Sequence, residues 1–469
     1  MTSAEDDSKV MLDDPEPTKT QGLVVPDLVK IGALPSNTQM KVSTEISEPV
    51  VNTDKFARWT LACKGLLHSH SRIVLSTTAD ATRSLFYPVN IGVHSLISRA
   101  VLKAGTRTLC EVDDFNYLMA YQSMFVTSEN NKEREQVISA RCMAHESQYL
   151  DGVAYNTNTE AGGVQIDNGK MYNVKNNTSH EWQLNKNSPT FSVLLSDLFS
   201  FLKHNQLPLY MFDPSAPVTI ELTFTEGASR ICKTAGDTAF TPVIDTTQTK
   251  LVADYIFYDV ADMEAHANAN KTLSFNYVDY RLNKNSLSVA QARTQVSNLG
   301  GANRSVNKVI VGIQGDYGKQ DKLCSLYNSV TPELDGSGET GVTEMNIKYN
   351  DNYLYPINVK NSARHFHNLI QAEGKVPYVC RSEYNFQGKN GGVSDGLFNG
   401  LAMNDSLEGR FFWQAFKLNS GDKVNSRGIE LTSKFVDLDA TATSFTQRAW
   451  LELNKTAVLK DGFIESYYS

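Results

Sequence analysis

From residue 40 onward the chain is written in short runs that alternate apolar and polar residues, separated by stretches rich in Gly, Asn, Ser and Thr. The strictest run is Pro217 to Glu226, where Val218, Ile220, Leu222 and Phe224 alternate with Thr219, Glu221, Thr223 and Thr225. A period of two with β-branched residues on both faces predicts a half-buried strand. Phe56–Cys63, Ser71–Thr77 and Arg99–Val112 read the same way. In the second half the strand candidates are Thr272–Tyr280, Val306–Gln314, Tyr353–Val359, Val376–Tyr384, Arg410–Leu418, Gly428–Val436 and Phe445–Leu459.

Helical spacing is rarer. Asp113 or Asp114 offers an N-cap for a helix carrying Phe115, Leu118, Met119, Gln122 and Phe125. A second helix is expected over Phe191–His204, with a broad apolar face ending before Leu207-Pro208-Leu209, and a third from an Asn361 cap through Glu373. Near the middle, Lys250 to Tyr258 alternates as a strand, and Asp259 then caps a short segment rich in Ala, Met and Glu. Polar excursions at 144–190, 315–343 and 385–408 interrupt the pattern; loops of that length usually carry recognition or contacts.

Many short strands, few helices and long loops in each half predict an all-β chain, with two successive sandwiches hinged near residue 250. The length of 469 residues suits two domains, and 41% hydrophobic against 20% charged residues is enough apolar material for packed cores. The expected division is an N-terminal arm over 1–45, a first sandwich over 46–249 and a second over 250–469. A formal net charge of -8 excludes a global basic field for nucleic acid. The six cysteines form no CxxC pair, and no apolar run reaches the roughly 20 residues a membrane-spanning helix needs. The opening residues are acidic and polar, so a soluble chain made in a reducing compartment is expected.

Candidate chemistry is sparse. His68 and His70 would share a face on a strand and offer two metal ligands, whereas His365 and His367 diverge on a helix. Gly336 to Gly341, GSGETG, has the glycine of a phosphate-binding loop without its Lys and Ser/Thr. No GxSxG occurs, and no spacing of carboxylates picks out an acid and base pair. No catalytic, cofactor-binding or metal residue is therefore assigned. Trp59, Trp182, Trp413 and Trp450 mostly sit in strand-like runs and are expected in the core.

Five stretches carry a resemblance. The segment KLVADYIFYDVADMEAHANA, 250–269, resembles the inter-domain segment of double jelly-roll major capsid proteins. SVNKVIVGIQ, 305–314, is similar to the following strand of the second jelly roll in nucleocytoplasmic large DNA viruses. PLYMFDPSAPVTIELTFTE, 208–226, resembles the end of the first roll, and RFFWQAFKLNSGDKVNSRGIELTSKF, 410–435, a late strand, turn and strand of the second. RAWLELNKTAVLKDGFIES, 448–466, resembles the tail of capsid proteins from polinton-like viruses and virophages. The helix after Asp259 lacks the Arg cluster of the large-virus family, which favours the smaller relatives.

The resemblance implies two eight-stranded jelly rolls, no enzyme activity and no cofactor. It implies a homotrimeric, pseudo-hexagonal capsomer in an icosahedral shell around double-stranded DNA, assembled in the infected cell and found in the virion. Partners would be the chain itself, neighbouring capsomers and minor capsid and penton proteins, without sequence-specific nucleic-acid binding or a membrane-spanning segment. The alternative from another class is a β-sandwich carbohydrate-binding protein or glycan-active enzyme, which a cleft with converging carboxylates and exposed Trp would favour. In the arm, Lys9, Lys19 and Lys30 are dispersed among acids, and the apolar stretch GLVVPDLVKIGALP, 22–35, is expected to make protein contacts. Removing residues 1–35 is expected to impair assembly while leaving each subunit folded; normal assembly of the truncated chain contradicts that role.

Overall fold

Alternation of the kind seen at 217–226 buries one side of each strand, so the strands pair into sheets that close face to face. A computed structural model describes residues 40–78, 85–86, 91–125, 138–139, 190–225, 233–234, 243–287, 293–316, 341–359, 362–376, 413–418, 423–436 and 444–468. In the first half the strands are β1 Lys41–Ser47, β2 Val51–Asn52, β3 Phe56–Thr60, β4 Leu66–Leu67, β5 Arg72–Leu75, β6 Leu85–Phe86, β7 Ile97–Ala104, β8 Arg107–Asp113, β9 Phe191–Leu194, β10 Leu207–Pro208, β11 Val218–Phe224, β12 Lys233–Thr234 and β13 Lys250–Phe257. The second half holds β14 Thr272–Leu287, β15 Arg293–Gly300, β16 Val306–Asp316, β17 Gly341–Tyr349, β18 Asn352–Tyr353, β19 Gln414–Lys417, β20 Ile429–Val436, β21 Ser444–Lys460 and β22 Phe463–Tyr468. Helices are α1 Phe115–Ser123, α2 Leu195–Leu198, α3 Ser200–His204, α4 Val260–Ala269 and α5 Ser362–Glu373.

The first half makes one sheet in the order β10-β4-β13-β5-β9, with β1 also on β13, and a second in the order β2-β3-β11-β7-β8. The second half repeats the scheme with β14-β21-β16-β19, β22 also on β21, and β15-β20-β17-β18. Neighbours distant in sequence, such as β3 and β11 or β14 and β21, make these two successive antiparallel jelly rolls.

Four expectations are corrected. Residues 191–194 are a strand: Val193 and its neighbours pair with Arg72–Leu75, and helix begins only at Leu195. The run Arg99–Val112 is two strands folded at Gly105, whose φ is +55°. Gly341–Tyr349, which begins inside the second excursion, is a strand, and Arg293–Gly300 is a further strand that the pattern did not single out. Of the expected strand Tyr353–Val359, only Tyr353 lies in a strand. Of the expected strand Val376–Tyr384 only Val376 is described, exposed and outside any strand; its remainder, the Asn361 cap, most of the excursions and Trp182 lie outside the described residues.

Strand β13 pairs with β1, β4 and β5, so strand pairing changes over at α4 rather than before Lys250, and residues 41–45 belong to β1 rather than to an arm. Asp259 caps α4 as its residue type suggests, accepting from the Ala261 N–H at 3.0 Å.

Two large apolar clusters result among the described residues. One lies inside the second roll, with Val309, Val311, Ile313, Leu431 and Leu451. The other fills the first roll and continues across onto the second, taking in Phe275, Tyr277, Ile310, Trp413 and Trp450. The sheet holding β16 and β21 is therefore buried on both faces, which explains the unbroken VIVGI of 309–313. Trp59, Trp413 and Trp450 are fully buried. A Cβ on Gly312 would collide with the Trp413 ring. Replacing Gly312→Val is expected to cost about 1–3 kcal/mol or more by overpacking, read from the denaturation midpoint; an unchanged midpoint contradicts this packing.

Candidate functional site

Strand β8 is the outer strand of its sheet, and an outer strand presents unpaired N–H and C=O groups. Here those groups are met by side chains of the second roll. The Lys455 ammonium donates to the Leu109 carbonyl at 2.7 Å and Tyr277 OH to the same oxygen at 2.8 Å. Ser466 Oγ donates to the Thr108 carbonyl at 3.0 Å, and Trp450 Nε1 to the Asp113 carbonyl at 3.2 Å. In the other direction the Glu111 N–H donates to Asp279 Oδ1 at 3.4 Å. Lys455 and Asp279 pair at 2.9 Å, with side chains 5% and 4% exposed. Burial raises the Asp279 carboxyl above its ordinary value; the Lys455 charge and hydrogen bond, with the N–H groups of Glu111 and Tyr280, act against it.

Asp114 extends this seam. It stands at the N-cap of α1, but with φ 49° and ψ 45° its side chain makes no cap bond. Its carboxylate crosses instead to Lys284 Nζ and to Arg448 Nε, each at 2.7 Å. The Arg448 guanidinium lies over the Tyr117 ring at 3.7 Å and donates to Gln314 Oε1 at 2.9 Å. Next to it, rings step across the seam from Tyr121 to Trp413 at 6.0 Å and on to Trp450 at 5.9 Å.

A cleft of about 390 Å³ opens between α1, α2 and α3 on one side and β14, β16 and the end of α5 on the other. Lys308 lies in it between two carboxylates, at 2.5 Å from Glu373 and 2.9 Å from Glu452. Tyr121 OH donates to Glu373, and Tyr280 OH to Glu452 at 3.0 Å. Burial alone would lower the Lys308 ammonium; Glu452 and Glu373 outweigh it and hold it above its ordinary value. Among the described residues, every buried Asp, Glu, Lys or Arg (Asp279, Lys308, Arg448, Glu452 and Lys455) lies in this seam. Sequence reasoning named none of them. The signal was present in AWLELNK, 449–455, where Trp and Leu occupy both faces of one strand and leave its charges no solvent to face.

The residues weighed from sequence do not converge. His68 and His70 sit in a turn after β4, rings 4.6 Å apart, and His68 Nδ1 already accepts from the His70 N–H at 3.0 Å. His365 is buried with its ring edge-on to Phe416, while His367 is exposed. Of GSGETG only Gly341 is described, at the start of β17. Among the described residues no group of three or more His, Cys, Asp or Glu could hold a metal ion, and no helix is long and apolar enough to cross a membrane. Burial drives the Cys110 thiol up to about 12, so it is not a thiolate nucleophile at neutral pH. The cleft does bring carboxylates together, as the glycan alternative asks. Both, however, accept from the same ammonium and each from a tyrosine hydroxyl, and the described tryptophans are fully buried.

No protein-family model matches the chain, and no curated protein matches it. Solved structures do. A chain of the Sputnik virophage, determined by cryo-EM, matches at TM-score 0.54 and 9% identity over 100% of this chain and 93% of that one. The mavirus major capsid protein matches at 0.50 and 12% over 100% and 97%. PBCV-1 VP54, as fitted into a reconstruction of Sputnik, matches at 0.53 and 11% over 93% and 98%. At these identities the likeness establishes the fold, end to end.

Replacing Lys455→Met leaves Asp279 and the Leu109 carbonyl short of a buried partner and is expected to cost about 3–5 kcal/mol; adding Asp279→Leu should recover most of it. A loss below about 1 kcal/mol in urea titration contradicts a buried pair. His365, held down to about 3 by burial, stays neutral in the fold while the unfolded chain takes up a proton. Its contribution is present above the ordinary value of about 6.5 and is lost as pH falls from there toward 3. The urea midpoint should therefore fall between pH 7 and 5, and His365→Phe should flatten that fall; an equal slope in both proteins contradicts it.

Proposed function

We propose that the chain is the major capsid protein of a small double-stranded DNA virus, a structural protein without enzymatic activity that resides in the virion. The observation that carries this reading is the seam. Two jelly rolls are fixed against each other by hydrogen bonds from Lys455, Tyr277, Ser466 and Trp450 to the edge of β8, by the Asp114–Arg448 ion pair and by a shared apolar cluster, in a fold whose solved likenesses include a virophage capsid protein along its whole length. A pseudo-hexagonal tile built from three copies needs six rolls at fixed angles, and a hinge between the rolls would let its corners wander.

In this reading the strands stand roughly normal to the shell, and α4 marks the junction of the two rolls. The excursions near 144–190, 315–343 and 385–408 supply outer towers and contacts between subunits. Its partners are two further copies in the capsomer, neighbouring capsomers, and minor capsid and penton proteins. The net charge of -8 fits enclosure of DNA without sequence-specific binding. The capsomer closes by symmetry over broad interfaces, each of modest strength.

The glycan reading has one observation in its favour, the cleft that holds Glu373 and Glu452. Light scattering of the purified native protein, with negative-stain images of the same sample, separates the two. Trimers of hexagonal outline or closed shells are expected; a stable monomer with a single deep cleft contradicts the capsid reading.

A further inference from the structure

Strand β1 carries an apolar strip that its own sheet does not cover. Met40 is 53% exposed, Val42 53% and Ile46 68%, while Ser43, Glu45 and Ser47 on the opposite face are half-buried. Across the pairing with β13, Val42 stands opposite Ile256 and Ile46 opposite Val252, both buried. Ile256 belongs to a small cluster with Leu66 and Tyr258, against which Met263 of α4 packs. The strip is thus the outer lip of an apolar face whose inner part is already covered. Among the described residues β1 has β13 as its one strand partner, so its other edge offers N–H and C=O groups for pairing.

The chain itself supplies a matching segment. Residues 28–34, LVKIGAL, precede β1 by a short connection in which Ser36 and Asn37 are turn formers. A four-residue hairpin connection over 36–39 would set Pro35 opposite Met40 and so every pair beyond it. Ala33 would then fall opposite Val42, Ile31 opposite Thr44 and Val29 opposite Ile46, bringing these three apolar residues to the exposed strip. In the same register Lys30 would fall opposite Glu45, and Gly32 opposite Ser43. A slip of one residue would set Lys30 on the apolar strip and Ile31 beside Ser43 and Glu45. Pro35, with no N–H to donate, would then stand at the end of an outer strand, where proline is tolerated.

We infer that the free edge and apolar strip of β1 are a docking surface for residues 28–35 of the same chain, added as an antiparallel strand in this register. Such a strand closes an edge that would otherwise pair with other chains, and it leaves residues 1–27 as the arm available to neighbours. The inference stands on β1 and does not depend on the capsid reading.

The test is paired cysteines in the full-length chain. Under mild oxidation Val29→Cys with Ile46→Cys should close a disulfide within one chain, because residues directly opposite meet its Cα spacing. On a non-reducing gel the product runs at the mass of one chain. The slipped pair Lys30→Cys with Ile46→Cys should close about tenfold more slowly or not at all. Equal closure of both pairs, no closure, or disulfide-linked dimers, which would put a second copy's segment on the strip, each overturns the assignment. Amide exchange without any introduced thiol gives an independent reading: the outward N–H groups of β1 should exchange about tenfold faster in Ile31→Pro than in the unaltered chain. Identical exchange in the two also overturns it.

Discussion

The rest of the structure depends on how the outer edge of β8 is satisfied. Backbone groups at a buried sheet edge must find partners, and here they find them in Lys455, Tyr277, Ser466, Trp450 and Asp279 from the other roll. That requirement ties the sheets of two domains together, with no strand pairing between them among the described residues. It also explains why charge is buried where it is. An ammonium is a good cap for a carbonyl edge, and once buried it needs a carboxylate, which Asp279 provides. Directional bonds of this kind fix one relative placement of the rolls, whereas the apolar cluster around Trp413 and Trp450 would tolerate sliding.

Much of this fold was legible in the sequence wherever one face of a strand is wet. β11 keeps strict alternation because only one of its faces meets the core, with the burial pattern to match. The stretch 191–204 was misread because Val193, Leu194, Leu195 and Leu198 satisfy a helical and an extended pattern equally; pairing with β5 decided it, and that pairing is non-local. Asp114 was correctly placed at a helix start and wrongly given a capping role. Its left-handed backbone turns the carboxylate toward Lys284 and Arg448, 170 and 334 residues away. The seam as a whole was invisible for the same reason: Asp279, Lys308 and Lys455 look like ordinary outward charges until their strands are known to be covered on both faces.

The chemistry present is that of cohesion rather than turnover. In the cleft Lys308 is shared by two carboxylates, Glu373 and Glu452, and each carboxylate is bonded to a tyrosine. The two histidines that suggested a metal, His68 and His70, sit together in a turn of the first roll, where His68 Nδ1 is taken up by the His70 N–H. A chain that spends its buried charge on fixing two domains in one orientation is suited to tiling a surface, where small angular errors accumulate from tile to tile.

The seam makes the two rolls one cooperative unit. Scanning calorimetry of the purified subunit tests it most directly, by comparing the calorimetric enthalpy with the van't Hoff enthalpy of the transition. A single transition with the two enthalpies equal is the predicted result. Two resolved transitions, or a calorimetric enthalpy near twice the van't Hoff value, would mean that the rolls unfold independently and that the seam does not bind them.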